Sequence, residues 1–364
     1  MAVTQTTAGK NQQILLNGNG NGHVTNGKSN GGYVQPQSVK VEHNLAKGIW
    51  QLCRLHTVEG LSTASIGWVA LFFYAVQQNL SFDSQVQKAF FGILASFQIT
   101  HGVFCMWNDI CDRDFDGKVA RTKQRPLPSG MVTYPEAMVA FIVGFGLAIG
   151  ATYAILGLDV TLAMGPAWVL SFIYPLCKRV IWAPQVVLGL TMATCVFPPW
   201  VALGGELAEL PFAGKFFGGA LVTGGQFEVA GGVRLLNLPG NLFGAIFSWL
   251  VYIDLIYASQ DRVDDTGAGV KSLAVFLGDH LKSGLTFLGA LQTFFFLSAA
   301  YEATASTFLW TAGVAVWVLS IPFSIIRLDP ADRESGGRIF LVNAFLVLYM
   351  AGVAGLDVFL TAKQ

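Results

Sequence analysis

Nine apolar stretches of about 20 residues each divide most of this chain, and they constrain its fold more than any other feature. They lie near residues 58–78, 87–108, 134–156, 158–177, 184–204, 241–260, 283–300, 305–326 and 338–361. A helix of that length crosses the hydrocarbon core of a bilayer while satisfying its own backbone hydrogen bonds. The sequence therefore predicts an all-α polytopic membrane protein with nine transmembrane helices.

Composition independently excludes several other classes of protein. The chain is 53% hydrophobic and 12% charged with a mean hydropathy of +0.53, which is too apolar for an ordinary soluble enzyme. The formal net charge is zero and no nucleic-acid-binding motif is present, so we expect no nucleic-acid partner. The five cysteines form no CxxC pair and lie in or beside apolar runs, which predicts buried thiols instead of disulfides or a zinc site.

Two regions of different composition divide the chain. Residues 1–42 are rich in Asn and Gly and contain no apolar run long enough for a signal peptide, so they predict a disordered tail. Residues 43–364 form the predicted transmembrane domain. Its first segment, residues 43–57, mixes apolar and basic residues as an interfacial helix does, and Arg54 lies near the end of that segment.

A cluster of carboxylates follows the second apolar stretch, in residues 106–130 (MWNDICDRDFDGKVARTKQRPLPSG). On a helix turning ~100° per residue, Asn108, Asp109, Asp112 and Asp116 share one face, and Asp114 lies off it. Like charges packed this closely repel one another unless a cation lies between them. Because the face offers oxygen ligands without His or Cys, it predicts a Mg2+ site.

A second acidic stretch lies in residues 257–279, again directly after an apolar run. Asp261 and Asp265 are one helical turn apart in it. Two carboxylate faces with Arg and Lys nearby indicate a shared Mg2+ site that binds a polyphosphate. The simpler alternative is that both stretches are solvated helix ends.

The distribution of basic residues predicts the orientation in the membrane. Eighteen of the 22 Lys and Arg residues lie before the first span or in the links after the second, fourth, sixth and eighth spans. Cytosolic segments carry this excess of positive charge. We therefore expect both acidic stretches on the cytosolic face, in the membrane of the endoplasmic reticulum.

These residues resemble the signatures of the UbiA superfamily of intramembrane prenyltransferases. NDxxDxxxD corresponds to Asn108, Asp109, Asp112 and Asp116, and DxxxD corresponds to Asp261 and Asp265. The resemblance extends to the segments 121–130, 174–189 and 269–272 and covers roughly residues 45–364. It implies a UbiA-type helical bundle and a prenyl diphosphate substrate held by Mg2+.

Site roles follow for individual residues if the resemblance holds. The six residues of the two signatures are the expected Mg2+ ligands, and Asp112, Asp116, Asp261 and Asp265 are expected to be catalytic together with Arg179. Positive charge that stabilises the diphosphate is expected from Arg121, Lys178, Arg179 and Lys271. Lys178 and Arg179 are alternatively topology anchors. Tyr174 is the aromatic residue expected to face the allylic cation.

Several functions are compatible with these residues. The first is transfer of a prenyl group, with farnesyl as the expected length, to an aromatic small-molecule acceptor, as in fungal members that prenylate polyketide-derived phenols for meroterpenoids. A UbiA-type terpene cyclase, a ubiquinone-pathway 4-hydroxybenzoate polyprenyltransferase and a membrane transporter are the alternatives. Residues 56–58 depart from the Asp-Lys-Pro-like run of ubiquinone-pathway members, which argues against 4-hydroxybenzoate as the acceptor. The acidic clusters lie at one end of the helices, whereas the ion sites of transporters lie near mid-span, which argues against a transporter.

Overall fold

The computed structural model describes residues 42–117, 122–177, 180–207, 210, 236–262, 271–330 and 332–361. Within these residues the secondary structure is helical, without strands. Nine described helices are long and apolar enough to cross a membrane: Glu59–Gln77, Ser84–Asp114, Tyr134–Leu156, Leu158–Cys177, Pro184–Ala202, Leu238–Asp261, Leu273–Glu302, Leu309–Arg327 and Glu334–Thr361. The predicted fold class and the nine predicted spans are therefore confirmed, and the chain is a multi-pass membrane protein. The predicted tail and most of the Gly-rich link after the fifth span lie outside the described residues.

Twelve α-helices make up the described chain. They are α1 (Leu45–Leu52), α2 (Glu59–Gln77), α3 (Ser84–Asp116), α4 (Tyr134–Leu156), α5 (Leu158–Cys177), α6 (Pro184–Ala193), α7 (Phe197–Ala202), α8 (Leu238–Ala258), α9 (Leu273–Leu277), α10 (Leu281–Glu302), α11 (Ala315–Arg327) and α12 (Arg333–Thr361). One π-helical segment, Leu309–Val314, precedes α11. The short helix α1 lies in the segment predicted to be interfacial.

Local sequence signals explain where the spans begin. At the start of α4, the Glu136 carboxylate accepts hydrogen bonds from the backbone N–H and the hydroxyl of Thr133, at 2.8 and 2.7 Å. The Asn237 side chain caps α8 by accepting from the backbone N–H of Gly240 at 3.1 Å. Such caps satisfy backbone donors that the first helical turn leaves unpaired. Helices α4 and α8 therefore each start at a defined residue.

Helices α2 and α8 form the centre of the bundle, and most of their residues are buried. Each carries a fully buried tyrosine whose hydroxyl donates to a backbone carbonyl. The acceptors are Val196 O for Tyr74, at 2.9 Å, and Ile321 O for Tyr252, at 3.2 Å. A buried hydroxyl without a partner costs about 1–3 kcal/mol, so these bonds favour one packing of the central helices.

Helix α4 lies at the rim of the bundle and exposes a large apolar surface. Val139, Ile142, Val143 and Leu147 are each more than half exposed. In water this surface would favour aggregation. In a bilayer it is the lipid-facing surface, so the exposed residues agree with a membrane-embedded helix.

The fifth span changes helix type part of the way along its length. A 3-10 turn, Thr194–Val196, separates α6 from α7. Pro198 and Pro199 follow, and neither can donate a hydrogen bond to the carbonyl four residues earlier. The loss of these two donors explains why the regular α-helix is interrupted here.

Helix α3 is longer than the span predicted from its apolar residues. It has 33 residues, and at 1.5 Å per residue it is about 50 Å long, compared with a hydrocarbon core of about 30 Å. The predicted span 87–108 covers the membrane-crossing part of this helix, which begins three residues earlier and continues through the carboxylates to Asp116. The four residues of the first acidic signature all lie on this one continuous helix.

Candidate active site

A cavity of about 380 Å³ opens among α2, α3, α5, α6 and α8. Its walls combine apolar side chains with many polar and charged ones, a lining that suits a ligand with both apolar and charged parts. The polar and charged lining residues include Arg54, Glu59, Thr63, His101, Asn108, Arg125, Tyr174 and Asp254. Asn108 from the first acidic signature and Asp254 from the helix of the second one line the same cavity.

Asp109 lies between two arginines at the edge of this cavity. Its side chain is fully buried, and Oδ1 accepts hydrogen bonds from Arg54 at 2.8 Å and from Arg125 at 3.0 Å. Arg125 also donates to Oδ2 of Asp116 at 2.8 Å. These charge-assisted bonds link the end of α1, the end of α3 and the segment after α3. We call Arg54, Asp109, Arg125 and Asp116 the arginine–aspartate network.

Burial and charge act in opposite directions on Arg54. Burial lowers the pKa of its guanidinium, and the neighbouring carboxylate of Asp109 more than offsets this, so the pKa lies above its ordinary value. Arg54 therefore stays charged at any pH at which the protein is folded. The permanent positive charge is held beside the cavity by a buried carboxylate.

Tyr174 lies where the two acid-bearing helices approach each other. The charges of Asp254 on α8 and Asp112 on α3 both act on its phenol group. Tyr174 also lines the cavity, and its role of facing an allylic cation stays a prediction. The structure thus brings Asn108, Asp112, Tyr174 and Asp254 to one region.

Asp261 ends the 3-10 turn that follows α8 and is half-buried. It is seven residues beyond Asp254, about 10 Å further along the helix axis, on the same face. Lys271, predicted to help with the diphosphate, has its ammonium 4.8 Å from the ring centre of Trp182. Its contact in this structure is therefore an aromatic ring.

Four of the predicted site residues lie outside the described residues: Arg121, Lys178, Arg179 and Asp265. Their assigned roles stay predictions.

Three site residues were not among the predicted ones. The sequence places Arg54 near the end of the interfacial segment and Arg125 in the basic link after the second span, and neither position indicates a role in the site. Asp254 carries a signal that sequence reading could have used, because a single carboxylate inside an apolar span is a functional candidate by default. It also precedes Asp261 by seven residues, which places both on one helical face.

The cysteines differ from their predicted burial. All five are free thiols, but only Cys195 is buried and the other four are half-buried. Cys105 lines the cavity beside His101. The expectation of buried thiols is therefore right for one of the five.

Comparison with known proteins gives a consistent family assignment. The model of the UbiA prenyltransferase family matches residues 66–349. The polyprenyl transferase ntnF of Nectria sp is 65% identical over 322 residues, covering 88% of this chain and 95% of the relative. The polyprenyl transferase atnF of Arthrinium sp is 62% identical over 320 residues, covering 88% and 94%.

Solved structures share the fold at low sequence identity. The apo structure of a UbiA homolog from Aeropyrum pernix K1 has a TM-score of 0.63 at 20% identity, covering 83% of this chain and 98% of that one. A UbiA homolog from Archaeoglobus fulgidus bound to GPP and Mg2+ has a TM-score of 0.57 at 17% identity, covering 84% and 99%. These likenesses show that the bundle has the UbiA architecture.

Proposed function

The chain belongs to the UbiA prenyltransferase family, and we propose that it transfers a farnesyl group from farnesyl diphosphate to a ring carbon of a phenolic, polyketide-derived acceptor in meroterpenoid biosynthesis. The observation that carries the proposal is the shared cavity, which Asn108 and Asp254 line from two acid-bearing helices. Fungal relatives at 65% and 62% identity that bear the name polyprenyl transferase support the same reaction class.

The residues of the site fit a bound Mg2+. Asn108, Asp109 and Asp112 offer oxygen ligands, the type that Mg2+ prefers. Oδ2 of Asp109 is buried and has no hydrogen-bond partner within the described residues, so one lone-pair site faces no donor there. We propose that these residues and Asp116, Asp261 and Asp265 hold Mg2+ ions, directly or through water. The UbiA homolog from Archaeoglobus fulgidus that is bound to GPP and Mg2+ supports a role for this metal.

When bound, Mg2+ would neutralise charge on the leaving diphosphate. The protein contributes further positive charge from Arg125, which lines the cavity, and, in the proposal, from Arg121, Lys178, Arg179 and Lys271. Tyr174 presents an aromatic ring beside the site of ionisation. Apolar side chains such as Phe104 and Met164 line the rest of the cavity and exclude water that would quench an allylic cation.

The proposed reaction transfers C1 of the prenyl chain from an oxygen to a carbon. The bond between C1 of the prenyl chain and the diphosphate oxygen breaks, and a carbon of the phenol ring bonds to C1. The ring then loses a proton and becomes aromatic again. We place these steps at the cytosolic side of the endoplasmic reticulum membrane, where the excess of basic residues lies.

The test is product analysis of detergent-solubilised protein with Mg2+. Geranyl, farnesyl and geranylgeranyl diphosphates are each supplied with a panel of small phenols and phenolic acids, including 4-hydroxybenzoate. We expect farnesylated phenols, and we expect chelation of Mg2+ to abolish them. A cyclic hydrocarbon from donor alone would instead indicate a terpene cyclase, and product only from 4-hydroxybenzoate would indicate the ubiquinone pathway. No consumption of any donor would overturn the proposal.

The site assignment has its own test. Asp112→Ala and Asp261→Ala each remove a proposed metal ligand without removing packing, so we expect loss of turnover with normal membrane insertion. Asp114→Ala is the matched control, because this residue lies on the same helix, is exposed and pairs only with neighbouring Arg113 at 3.1 Å within the described residues. Near-normal turnover in both of the first two variants would refute a shared metal site.

A further inference from the structure

Four polar side chains form a cluster on the wall of the cavity, away from the acidic signatures. Glu59 and Thr63 come from α2, and His101 and Cys105 come from α3. A carboxylate oxygen of Glu59, a ring nitrogen of His101 and Sγ of Cys105 lie within 4.8 Å of one another. His101 is seven residues before Asn108, so it lies about 10 Å further from the acidic end of α3 on the same helical face. That spacing leaves room for an aromatic ring between His101 and the diphosphate end of the cavity.

The hydrogen bonds around His101 favour a proton on one of its two ring nitrogens. The Thr63 hydroxyl is within hydrogen-bonding distance of the backbone carbonyl of Glu59, at 3.1 Å, and its oxygen lies 3.1 Å from Nδ1 of His101. We assign the ring proton to Nδ1, because a Thr63 hydroxyl that donates to Glu59 O can only accept from His101. The neutral imidazole then presents the lone pair of Nε2. Sγ of Cys105, at 3.4 Å, is a weak donor to that lone pair, so a phenolic hydroxyl is a stronger partner.

The surroundings of Nε2 suit an aromatic ligand that acquires negative charge on oxygen. Phe97 and Phe104 line the cavity beside His101 and offer apolar surface to a ring. The charge of Arg54 acts on both His101 and Cys105. Arg54 is itself fixed by Asp109 at 2.8 Å, so its charge is held in place. The other charged group of the cluster, Glu59, is exposed.

We propose that Nε2 of His101 binds the phenolic hydroxyl of the acceptor and takes its proton as the ring attacks. This inference rests on the proposed function. The O–H proton moves to Nε2, the ring carbon bonds to C1 of the prenyl chain, and the bond from C1 to the diphosphate oxygen breaks. The resulting dienone loses its ring proton to the released diphosphate or to water and recovers its hydroxyl proton from His101. Arg54 stabilises the negative charge on the oxygen during the attack.

The test separates acceptor activation from donor binding. His101→Leu is compared with wild type on a phenol that the product analysis identifies and on the methyl ether of the same phenol. We expect kcat/KM for the phenol to fall by about 10²-fold or more, in the range typical of general-base catalysis. The methyl ether has no hydroxyl proton to give, so its low rate should be the same in both proteins. Stabilisation by farnesyl diphosphate with Mg2+ should be unchanged, which shows that the variant is folded.

Two further variants complete the design. His101→Gln keeps a hydrogen-bond acceptor but is not a base, so it should preserve KM for the phenol better than kcat. His280→Leu is the matched control, because His280 is exposed in the turn before α10, and it should behave as wild type.

Each of the other experimental outcomes would contradict a specific part of the proposal. A His101→Leu protein within threefold of wild type on the phenol would overturn the role of His101 alone. Equal losses on phenol and methyl ether would show a packing effect and also overturn it. If the purified wild-type protein contains one equivalent of zinc and the His101→Leu protein contains none, the cluster is a metal site and His101 is not the base, since His, Cys and carboxylate are zinc ligands. Absence of product from every phenol with wild-type protein would overturn the proposed function and this inference with it.

Discussion

Asp109→Ala is expected to destabilise the protein as well as inactivate it, which distinguishes Asp109 from the exposed Asp114 on the same helix. In the wild type, the buried carboxylate compensates two guanidiniums at 2.8 and 3.0 Å. The arginine side chains are only 17% and 26% exposed, so water replaces the lost partner poorly. Removal of one member of a buried ion pair typically costs about 3–5 kcal/mol.

The loss is measurable as a shift of the unfolding temperature in detergent. At about 2 °C per kcal/mol, a loss of 3 kcal/mol lowers the midpoint by about 6 °C. Intrinsic tryptophan fluorescence follows unfolding without added label. Asp109→Asn keeps a hydrogen-bond acceptor for the guanidiniums, so its loss should be smaller than that of Asp109→Ala.

A control on the same helix isolates the effect of burial. Asp114→Ala removes a carboxylate that is 73% exposed, and its unfolding midpoint should stay at the wild-type value. If Asp109→Ala unfolds at the same temperature as Asp114→Ala, the arginine–aspartate network does not stabilise the fold and the reasoning is wrong.

Two further variants test packing and charge near the site. Gly336→Ala places a Cβ 2.8 Å from the carbonyl oxygen of Ile256, so it should lower the free energy of unfolding by about 1–3 kcal/mol and displace the turn that carries Asp261. The control is Gly352→Ala on the same helix, whose Cβ meets nothing within 4 Å and which should be neutral in the same melting assay. Equal unfolding midpoints for the two variants would contradict this packing. Arg125→Gln should lower turnover and cost about 1.5–3 kcal/mol, less than Asp109→Ala because Arg54 still pairs with Asp109. Lys123→Gln, at an exposed position of the same link, should alter neither turnover nor unfolding midpoint. If both variants respond identically, Arg125 contributes no more to the site than an exposed surface charge does.

The nine spans could be predicted because crossing a bilayer requires a length and an apolar composition that are visible in any window of the sequence. The acidic face of α3 was likewise predictable, since it depends only on helical periodicity. The pairing of Arg54 with Asp109 was not, because 55 residues separate them and nothing local indicates which cation meets which carboxylate. The cluster around His101 depends in the same way on the packing of α2 against α3, which hydropathy does not define.

The length of α3 bears on how the proposed reaction would bring its two substrates together. His101, Asn108 and Asp112 lie on one uninterrupted helix, so the distance between the proposed acceptor site and the proposed diphosphate site is set by the helical rise per residue. Movement of surface links leaves this distance unchanged. In the proposed reaction, α3 would therefore hold the two substrates at a fixed separation.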